Sequence, residues 1–209
     1  MYSGEKLNSL SHLAGVIFSL VALGSLVTVG IASNDIWILA SFSFFGLTLV
    51  LLYAMSTLYH STPPSPLKLI FQKLDHVAIY LLIFGTYTPF LLVTLRAGNG
   101  WLFMMIIGAL ALIGIASEFL LSGKAIKIVQ VLIYVSMGWS CTFEFDNLSA
   151  ALPPEGSMLL LAGGVVYTVG IIFYILDKLK KLNHAHGIWH FFVLFGSILH
   201  FISIIGYIQ

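Results

Sequence analysis

The feature that most constrains this chain is the spacing of its charges. Stretches without Asp, Glu, Lys or Arg run over residues 7–34, 36–67, 76–95, 97–117, 156–176 and 182–209, with a shorter one at 128–143. A helix rises 1.5 Å per residue, so about 20 residues cross a hydrocarbon core roughly 30 Å thick. Each of the longer stretches suffices for one crossing. Only 8% of the 209 residues are charged and 59% are hydrophobic, whereas a soluble domain carries about 25% charged residues. That balance excludes a soluble enzyme and a nucleic-acid binder. A β-barrel is excluded as well, because its strands alternate apolar and polar residues in segments of about 10, and these stretches are apolar all round.

Proline, glycine and charge clusters divide the chain into seven predicted helices, at about 10–32, 37–60, 75–95, 101–121, 125–143, 157–176 and 186–207. Ser61-Thr62-Pro63-Pro64-Ser65-Pro66 cannot continue a helix. Leu67 to Lys73 reads as a short amphipathic piece at the interface, and Pro89 as a kink in the third span. The expected fold is an all-α integral membrane protein, one seven-helix transmembrane bundle over residues 1–209. Gly30-Ile31-Ala32 has the form of a small-residue cleavage site, but the apolar stretch before it is too long for a signal peptide, so the first span is expected to be retained. Cys141 is the single cysteine and reads as a small apolar filler.

Positively charged short loops stay in the cytoplasm. With the N-terminus inside, Lys6, Lys68, Lys73, Lys124, Lys127, Lys178, Lys180 and Lys181 lie on the cytoplasmic side, and Arg96 alone outside. The predicted topology is therefore N-terminus cytoplasmic and C-terminus outside, in a multi-pass protein of the cell (inner) membrane. Membrane lipids are the expected partners. The net charge of +1 points to no charged macromolecule.

An ionisable side chain inside a span needs a partner or a function. In this topology the second helix ends near His60, the third starts near Asp75 and the seventh starts near His186, all at one membrane face. Ser56 and His60 are four residues apart, as are His186 and His190, so each pair shares one side of its helix. His60, His186 and His190 would make a three-histidine zinc site with a fourth position open to water. Asp75 could hydrogen-bond that water or orient a ligand ring, with Ser56 one turn from His60 in support. The spacing His-x-x-x-His is weak by itself, since interfacial histidines also bond backbone carbonyls. His200 continues the polar stripe of His186, about 40° away around the helix, and reads equally as a cavity residue or an interhelical hydrogen bond. His12, at the inner end of the first helix, reads first as a hydrogen-bonded interfacial histidine and second as a residue packed near the site; His76 reads as hydrogen-bonded and interfacial, His184 as a loop residue, and Glu118 as a solvated or lysine-paired carboxylate.

Ser56-x-x-x-His60, Lys73-Leu74-Asp75 and His186-x-x-x-His190, in a seven-helix chain beginning Glu5-Lys6-Leu7-Asn8-Ser9-Leu10-Ser11-His12, resemble the hemolysin III family, the bacterial branch of the progestin and adipoQ receptor superfamily. The resemblance covers nearly the whole chain. It implies zinc held at His60, His186 and His190, Asp75 on the zinc-bound water, and kinship with alkaline ceramidases and other membrane hydrolases. The short segment before the first span departs from the eukaryotic receptors and argues against a receptor role.

Two functions are compatible with these residues. One is a zinc-dependent hydrolase of a membrane lipid amide or ester, or a membrane-lipid homeostasis protein, with Asp75 as base and Ser56 as a donor to the developing oxyanion. The alternative is a pore-forming hemolysin or cytolysin, or a non-catalytic sensor of lipid state with structural zinc. A pore needs a continuous polar lining, which five of the seven predicted spans lack.

Overall fold

The computed structural model describes residue 2 and residues 4–209, and every regular element in it is helical. The helices are α1 (Lys6–Ala32), α2 (Ile36–Ser61), α3 (Pro66–Pro89), α4 (Gly100–Leu120), α5 (Lys124–Trp139), α6 (Phe145–Ala151), α7 (Pro154–Lys178) and α8 (Ala185–Tyr207). A π-helical turn, Phe90–Thr94, prolongs α3, and a 3₁₀ turn, Ser140–Glu144, joins α5 to α6. Seven of these helical stretches are long and apolar enough to cross a membrane, with α3 and its π turn forming one crossing and α5 through α6 another. The chain is an all-α, seven-span membrane protein.

Helix ends follow local chemistry. The Asp35 carboxylate accepts the Trp37 amide at 2.7 Å and starts α2. Ser65 caps α3 by accepting the Lys68 amide at 3.2 Å, with Pro66 at the first helical position, where its missing N–H costs nothing. The third span therefore begins nine residues earlier than its apolar pattern predicts, and the 67–73 piece is its first two turns rather than a separate interfacial segment. α1 likewise starts at Lys6 instead of near residue 10.

Pro89 cannot donate to the Gly85 carbonyl, and the Thr88 hydroxyl takes that acceptor instead at 2.6 Å. From there the helix widens into the π turn, closed by Leu95 N–H donating to Phe90 C=O at 3.0 Å. The irregularity expected at Pro89 is thus a change of helical type.

α2 lies at the centre of the packing. Phe42, Phe45, Leu49 and Tyr53 on it have no exposed surface. It is flanked by α1 and α3, while α8 packs between α7 and α1, and α4 covers α3. Close approach of α1 to α2 requires Gly15, since a Cβ there would enter the Tyr53 ring. α5 and α7 meet only sparsely; Trp139 Nε1–H donates to Thr168 Oγ1 across that seam at 3.0 Å. Between α3, α5, α7 and α8 the bundle encloses a cavity with about 200 Å³ of water-accessible space.

Candidate metal centre

The last turn of α2 and the first two turns of α8 bring His60, His186 and His190 together at the face that carries the N-terminus. Their ligating atoms lie within 4.8 Å of one another. The rings form a nearly equilateral triangle, with centroids 5.0 Å apart for His60–His186, 4.9 Å for His60–His190 and 4.8 Å for His186–His190. The planes are tilted by 57–69°, so the rings converge edgewise rather than stack.

Each ring uses Nδ1 for the protein. His60 Nδ1 bonds Glu5, and His186 Nδ1 lies 3.3 Å from Asp177 Oδ2. His190 Nδ1 faces Ser11 Oγ at 3.1 Å and the Asn8 carbonyl at 3.2 Å. These acceptors place the proton on Nδ1 and leave the Nε2 lone pair inward. All three Nε2 atoms are buried and have no hydrogen-bond partner among the described residues. An unpaired buried acceptor is costly, and three of them aimed at one point suit a metal ion. The donor set, three imidazoles each fixed by an outer acceptor, fits zinc or another nitrogen-preferring divalent ion.

The supporting carboxylates were not recognised in the sequence. Glu5 also receives Asn8 Nδ2–H at 3.3 Å and the Lys68 ammonium at 3.4 Å. Its bond to His60 holds the Glu5 carboxyl down at about 2, well below the ordinary range, despite partial burial. Lys68 further donates to the Tyr59 and Thr62 carbonyls, both at 3.0 Å, and so closes the α2 end that presents His60. Asp177 sits nine residues before His186, across the tight turn between α7 and α8. The only sequence signal for either group was its proximity to a histidine-bearing helix end.

Asp75 and Ser56 lie beside this triangle. Both are buried, at 7% and 1% exposure, Asp75 on α3 and Ser56 one turn before His60 on α2. Asp75 and His186 also line the cavity. From there the cavity extends past Val193 and His200 towards Cys141 and Leu148 at the other end of the bundle, between mostly apolar walls.

The remaining histidines divide. His12 follows the second of its two sequence readings, packing near the site, rather than the first, a hydrogen-bonded interfacial histidine. It is buried, neither ring nitrogen has a partner among the described residues, and it stacks on His190. The cause is that α1 packs into the angle between α2 and α8, which turns His12 inward. His200 meets both of its readings: its Nε2 faces the Leu160 carbonyl at 3.1 Å across to α7, and its ring lines the cavity. His76 Nδ1 lies 3.1 Å from Glu118 Oε2, so that carboxylate pairs with histidine rather than with lysine. His184 sits just before α8 in the left-handed backbone region, with φ 61°.

Comparison with known proteins agrees with this architecture. The family model described as Haemolysin-III related matches residues 1–201. A Bacillus cereus protein named Hemolysin-3 is 41% identical over 204 residues, covering 98% of this chain and 91% of the relative. The Hemolysin-3 homolog of Bacillus subtilis (strain 168) is 39% identical over 203 residues, covering 97% and 93%. The human monocyte to macrophage differentiation factor is 28% identical over 185 residues, covering 84% and 74%.

Proposed function

The chain belongs to the haemolysin-III-related family, and on that premise we propose that it is a zinc-dependent hydrolase of a membrane lipid amide or ester. It would act in the cell membrane, with its metal centre towards the cytoplasm. The observation that supports this reading most is the convergence of three unpaired Nε2 atoms, one of them on His186, which shares the lining of an apolar cavity with the buried Asp75. Zinc held by His60, His186 and His190 would polarise a carbonyl and acidify water at neutral pH.

The chain's own residues supply the rest. The apolar cavity takes an acyl chain and keeps bulk water from it, and the sparse α5–α7 seam offers lateral access from the bilayer. Asp75 accepts a proton from the water that attacks the acyl carbon. It returns that proton to the leaving amine or alkoxide as the C–N or C–O bond breaks, so the products are a fatty acid and an amine or alcohol. Ser56, buried one turn before His60 on α2, donates its hydroxyl to the oxyanion that develops on the acyl carbonyl.

The pore reading draws on the name of the Bacillus cereus relative, Hemolysin-3. Apolar cavity walls argue against ion conduction by a single copy. Purified protein in lipid, incubated with ceramides, other N-acyl amines and phospholipid esters, should release fatty acid, and a zinc chelator should stop it. Asp75→Asn should keep metal and fold and lose release. Absence of metal-dependent release by the wild type from every substrate would end the hydrolase reading, and dye leakage from vesicles in its place would favour the cytolysin.

A further inference from the structure

A second polar chamber lies beside the metal cavity, between α3, α4 and α5, with about 160 Å³ of water-accessible space. Gln72, His76, Glu118, Lys127 and Gln130 line both spaces, so the two adjoin across these side chains. The metal reading uses none of these side chains.

The inner part of the chamber holds unused acceptors. The Glu118 side chain is 8% exposed; Oε2 faces His76, and the buried Oε1 has no partner among the described residues. Gln72 Nε2–H donates to the Tyr59 hydroxyl and Gln130 Nε2–H to Ser117 Oγ, both at 3.1 Å. Each glutamine thereby keeps its carbonyl oxygen unused among the described hydrogen bonds. One carboxylate oxygen and two amide oxygens are acceptors still open to a donor, and the carboxylate to a positive charge. A primary ammonium carries three N–H donors and that charge. Lys73 and Lys127, both exposed, line the chamber nearer the protein surface. From the inside outward the order is therefore anionic, then cationic.

We propose that this chamber binds the headgroup of an aminophospholipid, with its primary ammonium on Glu118, Gln72 and Gln130 and its phosphate at Lys73 and Lys127. The charge order matches a zwitterion that enters ammonium first, and the adjoining apolar cavity can receive part of an acyl chain. A trimethylated ammonium has no N–H to offer and is bulkier, so phosphatidylcholine should be refused. The proposal does not depend on lipid cleavage: headgroup binding without hydrolysis, or hydrolysis without headgroup preference, separates it from the hydrolase reading.

The test is lipid retention by purified protein in bilayers that contain phosphatidylethanolamine, phosphatidylcholine and phosphatidylglycerol, read by native mass spectrometry. Wild type should retain phosphatidylethanolamine over phosphatidylcholine by roughly ten- to hundredfold, the scale of one charge-assisted hydrogen bond. Glu118→Gln should remove most of that preference, with zinc content unchanged as a sign of an intact fold. His76→Gln, which leaves Oε1 in place, should keep it, and that variant separates recognition from a mere α3–α4 tie. Equal retention of the two zwitterionic lipids by wild type would overturn the proposal, as would an undiminished preference in Glu118→Gln. Retention of phosphatidylglycerol equal to phosphatidylethanolamine would also overturn it, because the chamber would then read phosphate alone. So would displacement of phosphatidylethanolamine by millimolar calcium chloride, which would identify a bare-cation site.

Discussion

The imidazole of His12 lies face to face with that of His190, with ring centroids 3.6 Å apart and planes 10° apart. Tyr53 meets the His12 ring edge-on, with centroids 5.1 Å apart. The same helix that supplies this stack also supplies Asn8 and Ser11 to His190 Nδ1. α1 thus holds the α8 histidine by its face and by its edge, and the geometry of the centre depends on a helix that contributes no ring to the triangle.

The stack can be tested apart from the nitrogen atoms of His12. His12→Phe should retain metal and raise thermal stability slightly, because it keeps an aromatic face while removing two unpaired buried nitrogens. His12→Ala should weaken metal binding by roughly tenfold, since a cavity beside His190 lets that ring turn. Chelator-competition titration measures both. Wild-type affinity in His12→Ala would mean that Asn8 and Ser11 fix the ring without help.

The three ligating rings should act as a unit. Alanine at His60, His186 or His190 should each remove most of the bound zinc, measured as metal per chain after purification, because two imidazoles cannot hold it at comparable affinity. Asp75→Asn should leave the content near one per chain. A His186→Ala protein with wild-type zinc would eliminate the centre.

The outer acceptors predict a graded effect. Glu5→Gln and Asp177→Asn remove the negative charge from His60 and His186 but keep a polar group of the same shape. Each should weaken zinc by about ten- to hundredfold without unfolding the protein. Equal affinity in both variants and wild type would reduce these two carboxylates to surface charges.

The spans and their number were legible because charge is excluded from the hydrocarbon region, and nothing subtler than the spacing of charges was needed. The meeting of His60 and His186 was legible for the same reason, since alternating crossings put the second, third and seventh helix ends on one face. The start of α3 was not, because Lys68 and Lys73 look solvated until the Ser65 cap and the reach of Lys68 to α2 are seen. Glu5 and Asp177 were missed on the same principle: a charge just outside an apolar run satisfies the membrane rule without a partner. The inward turn of His12 was legible only as the weaker of two readings and the path of the cavity not at all, because helices that are apolar all round carry no pattern that distinguishes a lipid-facing side from an interior one.

Gly15 links helix packing to the centre. Gly15→Val would push α1 away from Tyr53 and carry Glu5, Asn8 and Ser11 with it. The expected result is a loss of about 1–3 kcal/mol from overpacking together with reduced zinc content, followed by thermal unfolding with and without added zinc. Gly24→Val on the same helix, where a Cβ meets nothing within 4 Å, should change neither. Full zinc content in Gly15→Val would show that α1 does not position the ligands.

The last prediction sets the direction of the centre across the membrane. Eight of the nine lysines and arginines fall on the face that carries the N-terminus, and this face holds the three histidines, so the positive-inside rule predicts that they face the cytoplasm. Single cysteines in a Cys141→Ala background report the sidedness. Cys141 is buried, so its removal should cost little accessibility elsewhere. Ser149 on α6 and Ser122 in the α4–α5 loop are both exposed and lie on opposite faces. Ser122 is preferable to Ser65, whose hydroxyl caps α3. An impermeant thiol reagent should label Ser149→Cys in intact cells, and should label Ser122→Cys only after permeabilisation. Labelling of Ser122→Cys in intact cells would invert the bundle, put the histidines outside, and require any lipid substrate to come from the outer leaflet.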